Sequence, residues 1–431
     1  DFDMMHRTLS HLPPDEQDRM GGIPELPDAT TTTVTPEQRQ LFETKMKEIW
    51  EQRQAELKEF SEKHLANLPQ LLKDRIQSIQ EYLQNPKAAL DELNLEQKHD
   101  NNDDDDDKNT RISDLLDVLQ DLEYHLTDVD MTRDFYTLGG WPLLTSLLAD
   151  SVHETYQNDT QSLLSQADWN KINVLQAHAA WAIGTAVKNT GEFFPYAVAE
   201  VEVLQQQETI QTTPLDLILA QFIASSQAVF SSSSSSSSQH NVDDKTENYD
   251  SVMLKVHKTL YALGSLLRGN RMSQNHFCAD QGPALLAQVL EHLAKQQGNN
   301  DNSIHRDTIK VVSKLLSLSH DIVVDVTLHP SQSPQVDEAI QKAFSSPLWC
   351  TSVVQFTQVP RLYETSLHTI QHLAPHCKNS WDLEQVQQDI QQIAAQSSST
   401  WLSDDLDPDI RKERNDLLDD TVQAIQSASK Q

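Results

Sequence analysis

Three histidines stand four residues apart, His368, His372 and His376, and Cys377 follows the last of them. Imidazoles at i and i+4 on a helix have the spacing of zinc ligands. Pro375 is expected to break the helix between the last two, and no carboxylate stands at ligand spacing, so an exposed polar face is expected there and no metal. The cysteines are Cys278, Cys350 and Cys377, an odd number without a Cys-x-x-Cys pair, which argues against zinc as well. Two readings of them stay open. Cys350 and Cys377 flank a helical hairpin, 348–357 and 362–373, and could meet across it, a bridge worth about 3.5 kcal/mol in an oxidising compartment by loop entropy; alternatively all three are buried or idle thiols. No Gly-x-Ser-x-Gly, phosphate loop or His-Glu-x-x-His occurs. The chain therefore reads as a binder with no cofactor, not an enzyme. Asn158-Asp-Thr160 is an N-glycosylation acceptor triplet.

A second set of spacings suits recognition. Ala177-His-Ala-Ala-Trp-Ala-Ile-Gly-Thr-Ala-Val-Lys-Asn189 has Ala179, Ile183, Ala186 and Val187 on one helical stripe and Trp181, Thr185 and Asn189 on another. Gly184 costs about 1 kcal/mol relative to alanine inside a helix, so it is expected to mark a tight helix crossing. The pattern returns in Lys258-Thr-Leu-Tyr-Ala-Leu-Gly-Ser-Leu-Leu-Arg268, which sets Tyr261 on Trp181, Gly264 on Gly184, Ser265 on Thr185 and Arg268 on Lys188. An aromatic, a glycine, a hydroxyl and a cation recurring in register point to an all-α, armadillo-like repeat solenoid. Trp181 and Tyr261 either line a concave ligand face or are packed. Nuclear-import armadillo proteins hold basic peptides on a Trp–Asn array in this helix; Thr185 and Ser265 stand where that array needs asparagine, which weighs against a basic peptide.

The elements that must position these residues follow from composition. Among 431 residues, 33 Lys and Arg face 65 Asp and Glu, for a net charge of −32. Nucleic acid and anionic membrane, both polyanions, are disfavoured partners. Glycine is scarce, at 10 residues, against a glycine-rich nucleotide fold. No run of 18 apolar residues predicts membrane insertion. The first residue is Asp1, with no apolar leader, and Ser427–Gln431 is no familiar retention signal, so a removed targeting segment or a trimmed chain is expected. Residues 1–35 are expected to be disordered, 36–97 to form a helical N-terminal extension interrupted at Pro69 and Pro86, and 98–110, with Asp103–Asp107, to be an acidic linker. The repeat domain is expected over 111–430, with a disordered polyserine insert at 231–249.

Leu122-Glu-Tyr-His-Leu-Thr-Asp-Val-Asp-Met-Thr-Arg-Asp-Phe-Tyr-Thr-Leu-Gly-Gly-Trp141 resembles the first repeat of the armadillo-type nucleotide exchange factors of the seventy-kilodalton heat-shock chaperones. Ala177–Asn189 and Lys258–Asn270 look like the repeats that follow, and the likeness extends over roughly residues 110–425. That family has a cytosolic branch (Fes and HspBP) and an endoplasmic-reticulum branch (SIL), which serves the lumenal chaperone BiP. Pro347-Leu-Trp-Cys-Thr351 and Leu373-Ala-Pro-His-Cys377 look like the paired cysteine-bearing helices of the lumenal branch, and the long N-terminal extension is similar to it; in that oxidising compartment a Cys350–Cys377 disulfide is expected. The polyserine insert and the missing retention tail depart from it.

The resemblance implies about four armadillo-like repeats and no chemistry of their own. It implies a one-to-one complex of a monomer with the ATPase domain of a BiP-type chaperone, in the endoplasmic reticulum lumen, with the cytosol as the alternative. The concave face would tilt one lobe of that domain and open the nucleotide cleft, so that ADP leaves; by linkage, ADP would weaken the factor in return. Helical spacing puts the contact on Trp181, Thr185, Lys188 and Asn189, then on Tyr261, Ser265, Arg268 and Arg271, with Asp128 and Asp130 as an acidic rim. A generic armadillo scaffold or peptide adaptor is the competing expectation, and it would show no nucleotide effect.

Overall fold

A computed structural model describes residues 68–86, 111–154, 164–188, 190–205, 208–231, 242–297, 306–396, 402 and 406–430, with isolated positions between 40 and 55. Asn158, Asn189, residues 1–35, the acidic linker 98–110 and most of the serine run, 232–241, lie outside the described residues. The chain divides into two compact units, residues 1–72 and 73–431. Of the first, the described residues are exposed helical positions such as Gln40, Thr44, Lys47 and Glu51 and the opening turn of α1 (Leu68–Gln84).

The described residues of the second unit are almost wholly helical. After α1 come α2 (Arg111–His125), α3 (Val129–Thr137), α4 (Gly140–Ser146), α5 (Asp150–Glu154) and α6 (Gln166–Val187). A 3-10 segment, Gly191–Ala197, leads into an antiparallel hairpin, β1 (Val201–Gln205) and β2 (Glu208–Thr212), in which Val203 faces Ile210. Then follow α7 (Pro214–Ser231), α8 (Val242–Leu267), α9 (Arg271–Ala279), α10 (Gly282–Gln297), α11 (Arg306–Leu328), α12 (Pro334–Ala343), α13 (Pro347–Gln355), α14 (Tyr363–Cys377), α15 (Leu383–Gln396) and α16 (Pro408–Ser429). Among the described residues no helix is long and apolar enough to cross a membrane.

The mostly helical fold agrees with the all-α expectation, and three details add to it. The hairpin, packed on α4 and α5, is the exception to the all-α reading. Helix α8 begins at Val242, inside the stretch expected to be insert, so residues 242–249 are helical. Helix α1 from Lys73 onward belongs to the same compact unit as the residues after 111. Arg75 donates to Asp121 of α2 at 3.0 Å, and the Tyr82 hydroxyl meets His153 Nδ1 at 3.0 Å. Ile76, Ile79 and Tyr82 are buried at the helical spacing the sequence carries.

The long helices pack in series: α2 on α6, α6 on α8, α8 on α11, α11 on α14 and α14 on α16. The middle helices do the same, α7 on α10 and α10 on α13, and so do the short segments, the 3-10 turn on α9 and α9 on α12. Helix α6 is buried almost all round, as its alanines require of a helix with a neighbour on each side. It starts on a capping box in which Ser165 and Asp168 satisfy each other's backbone N–H groups.

Two segments repeat one turn design. Asp128 caps α3 and Asn270 caps α9; Phe135 and Phe277 are buried further along those helices; Gly140 and Gly282 then open α4 and α10. A Cβ at either glycine would collide with the ring of its phenylalanine, and each glycine follows a left-handed residue, Gly139 at φ 79° and Gln281 at φ 60°.

Gly184 does mark a close crossing. A Cβ there would lie 2.7 Å from the Ala262 Cα of α8, which is backbone and cannot swing away. A Cβ at Gly264 would meet only the far end of the Arg268 side chain, which can shift while backbone cannot. Gly184→Ala is therefore expected to destabilise by about 1–2 kcal/mol despite its better helix propensity, since overpacking costs about 1–3 kcal/mol. Gly264→Ala should be neutral or stabilising. Urea midpoints of the two variants check this, and a Gly184→Ala protein as stable as wild type would contradict the crossing.

His153 supplies a pH dependence. Burial lowers its pKa to about 4; the Leu147 carbonyl and Asp150 oppose that shift and Lys255 adds to it. The neutral ring accepts from Tyr82 at Nδ1 and donates from Nε2 to the Leu147 carbonyl at 3.2 Å. The folded value lies below the unfolded one, so as pH falls the unfolded chain takes the proton first. Stability from this group is intact above about pH 6.5 and falls by about 3 kcal/mol on the way to pH 4. Denaturation at pH 7 and pH 4.5 should show a smaller acid loss in His153→Gln than in wild type.

Candidate partner-binding face

The adjacent helices α6 and α8 bring the two repeated aromatics together, each against a lysine of the other helix. The Lys258 ammonium of α8 lies over the Trp181 ring of α6, and Lys188 Nζ lies 5.4 Å from the Tyr261 ring centroid. Such contacts contribute about 0.5–2 kcal/mol according to how dry they are. Between them Thr185 donates to Glu123 of α2 at 3.1 Å and stands 3.4 Å from the Tyr261 hydroxyl. The result is one interlocked aromatic–cation face rather than two separate patches.

Burial leads the lowering of the Lys258 pKa to about 8, Glu123 opposes it and Lys314 adds to it. The Lys314 pKa is lowered by burial, by Lys310 and by Arg268, so Lys258, Lys310 and Arg268 each lie in electrostatic reach of Lys314. Arg268 Nε donates to Asp321 at 2.6 Å, joining α8 to α11. His178 lies next to Trp181, ring centroids 5.9 Å apart, and burial and Lys258 lower its pKa.

Several residues assigned to the face by spacing have other work. Ser265 is buried and its hydroxyl donates to the Tyr261 carbonyl of its own helix. Arg271 belongs to α9, where it donates to Gln274 and to the His329 carbonyl beside Asp325 and Asp337. Asp128 caps α3 by accepting from Asp130 N and Met131 N. Asp130, largely in solvent, pairs with Arg133, which also binds Glu192. Spacing along single helices does not reveal Lys258, Lys314 or Glu123 as members of this face. Lys258 does stand three residues before Tyr261, a spacing that puts both on one face of α8.

The histidine trio also changes membership. Helix α14 runs through Pro375 to Cys377, so that proline does not end it. The rings that gather are His320 of α11 with His372, at 4.7 Å, and with His368, at 6.0 Å. Cys350 and Cys377 are disulfide-bonded, their Cα atoms 5.7 Å apart, linking α13 to α14. Cys278 is free and half-buried, and burial pushes its thiol up to about 12, which makes it inert at neutral pH.

The family models and the curated proteins compared with the chain give no match.

Proposed function

We propose that this chain is an armadillo-type nucleotide exchange factor that binds the ATPase domain of a BiP-type chaperone and promotes release of ADP. The observation that carries the reading is the aromatic–cation face of α6 and α8, formed by the two segments that resemble consecutive repeats of that family. The serial packing of long, middle and short helices supports an armadillo-like solenoid of about four repeats. The face gathers Lys188, Lys258, Lys310, Lys314 and Arg268 on a chain of net charge −32, so it suits an acidic surface on the partner. The buried Cys350–Cys377 bond supports an oxidising compartment, the endoplasmic reticulum lumen, over the cytosol.

Exchange is a population shift in this reading. The factor holds the open cleft more tightly than the ADP-closed one, and the exchange needs no hydrolytic group of its own. The experiment is release of a fluorescent ADP from a BiP-type chaperone, with and without this protein. Acceleration supports the exchange reading. Binding that leaves the release rate unchanged transfers the assignment to a scaffold or adaptor.

A further inference from the structure

A second set of groups converges away from the aromatic–cation face, at the start of α7 and the end of α9. His276 Nε2 of α9 lies 3.0 Å and 3.2 Å from the two carboxylate oxygens of Asp216 of α7, and 3.1 Å from an Asp280 oxygen. The three donor atoms all fall within 4.8 Å of one another, and they are the one such group among the described residues. We propose that Asp216, His276 and Asp280 form a binding site for a divalent transition-metal ion, zinc foremost.

The two histidine–carboxylate separations are those of ligands already gathered. Two donors at about 2.1 Å from one metal stand about 3.0 Å apart at a right angle and about 3.4 Å apart at the tetrahedral angle. The nitrogen–oxygen separations of 3.0–3.2 Å fall inside that range. A plain ion-pair account serves the cluster less well, because one Nε2–H can be aimed well at only one of the two carboxylates that approach it. A cation satisfies both at once, taking the Nε2 lone pair while the ring proton sits on Nδ1.

Neighbouring groups help to place the ligands. Thr213, outside the trio, donates to Asp216 Oδ2 at 2.7 Å, which orients that carboxylate as an outer partner orients a metal ligand. Asp280 is fixed as the C-cap residue of α9. The donor set selects the metal. An imidazole nitrogen disfavours calcium and magnesium, which take oxygen ligands, and zinc stands above manganese in the usual affinity order. Three protein ligands leave further positions to water, in keeping with side chains that are 33%, 36% and 53% exposed. Bound metal would clamp α7 to α9, two elements whose chain connection runs through the whole of α8. The site does not depend on the exchange reading.

The test is calorimetric titration of the tag-free full chain with zinc chloride in a non-chelating buffer. One equivalent at this site is expected, with at least tenfold weaker binding in His276→Gln and in Asp280→Asn and no change in His368→Gln. Zinc-edge X-ray absorption of the wild-type complex keeps the test open should a variant misfold. One imidazole with oxygen donors is expected. No binding by wild type, unaltered binding by His276→Gln, or a spectrum of three imidazoles that His368→Gln abolishes would each overturn the proposal; the last would assign the metal to His320, His368 and His372.

Discussion

A chain carrying Lys188→Glu and Lys314→Glu is expected to fold normally and to lose at least tenfold of its acceleration of ADP release. Both side chains are exposed, and surface substitutions of that kind usually shift stability by less than about 0.5 kcal/mol. Their charges are what an acidic partner surface would meet. Reversing two of them puts like charges across the interface, which costs several kcal/mol and slows encounter. Lys258→Gln tests the same face without reversal: it removes the cation over Trp181 and should lower exchange less than the double variant does. Arg268 is a poorer target than spacing suggested, since its reversal would set a carboxylate beside Asp321 and disturb the α8–α11 contact. Circular dichroism establishes the fold, and stopped-flow release gives the rate. Rising salt should mimic the double variant. If the charge-reversed protein releases ADP as fast as wild type does, the face is misplaced.

Removing the bond between α13 and α14 is the other large effect. Cys350→Ala with Cys377→Ala is expected to lower stability by about 3.5 kcal/mol, the loop entropy of a cross-link spanning 27 residues. Both cysteines are fully buried, and the Trp381 indole donates to the Cys350 carbonyl at 2.8 Å beside the bond, so the paired helices are packed as well as tied. Urea unfolding of oxidised and reduced wild type measures the same quantity without mutation. A non-reducing mass-mapped digest should recover the linked peptides. Free alkylation of both cysteines in the native chain would remove the bond and, with it, the support for an oxidising compartment.

Much of the helix order was legible because the signals were local. Gly139-Gly140 and the small-residue run of α6 each state their structure within a few residues, whereas Asp128, read as an acidic rim, proved to be a cap. The β-hairpin was not legible: Val201–Thr212 is short and polar, and its pairing is set by packing on α4 and α5. Nor was the start of α8, because Val242–Asp250 is rich in polar residues and is helical as the first turns of a helix whose apolar part lies further on. At the face, spacing along single helices found Trp181 and Tyr261. It could not find that Lys258 belongs to Trp181 and Lys188 to Tyr261, since those pairs exist only where α6 crosses α8. The second turn design, Asp128 to Gly140 and Asn270 to Gly282, was hidden because different side chains make the same cap and the same left-handed step. The metal-type trio was out of reach for the same reason as the lysine pairs: Asp216 lies sixty positions from its histidine.

The contact between α1 and the rest of its unit decides where the chain can be cut. A fragment starting at residue 111 would keep every helix from α2 to α16, yet it would strip the Tyr82 hydroxyl from the buried His153 nitrogen and Arg75 from Asp121. The apolar surface that Ile76, Ile79 and Tyr82 cover would open to water at the same time. A buried acceptor without its donor costs about 1–3 kcal/mol before that surface is counted. A fragment meant to keep the aromatic–cation face on a covered core should therefore begin near Leu68, and one trimmed to the first apparent repeat should aggregate.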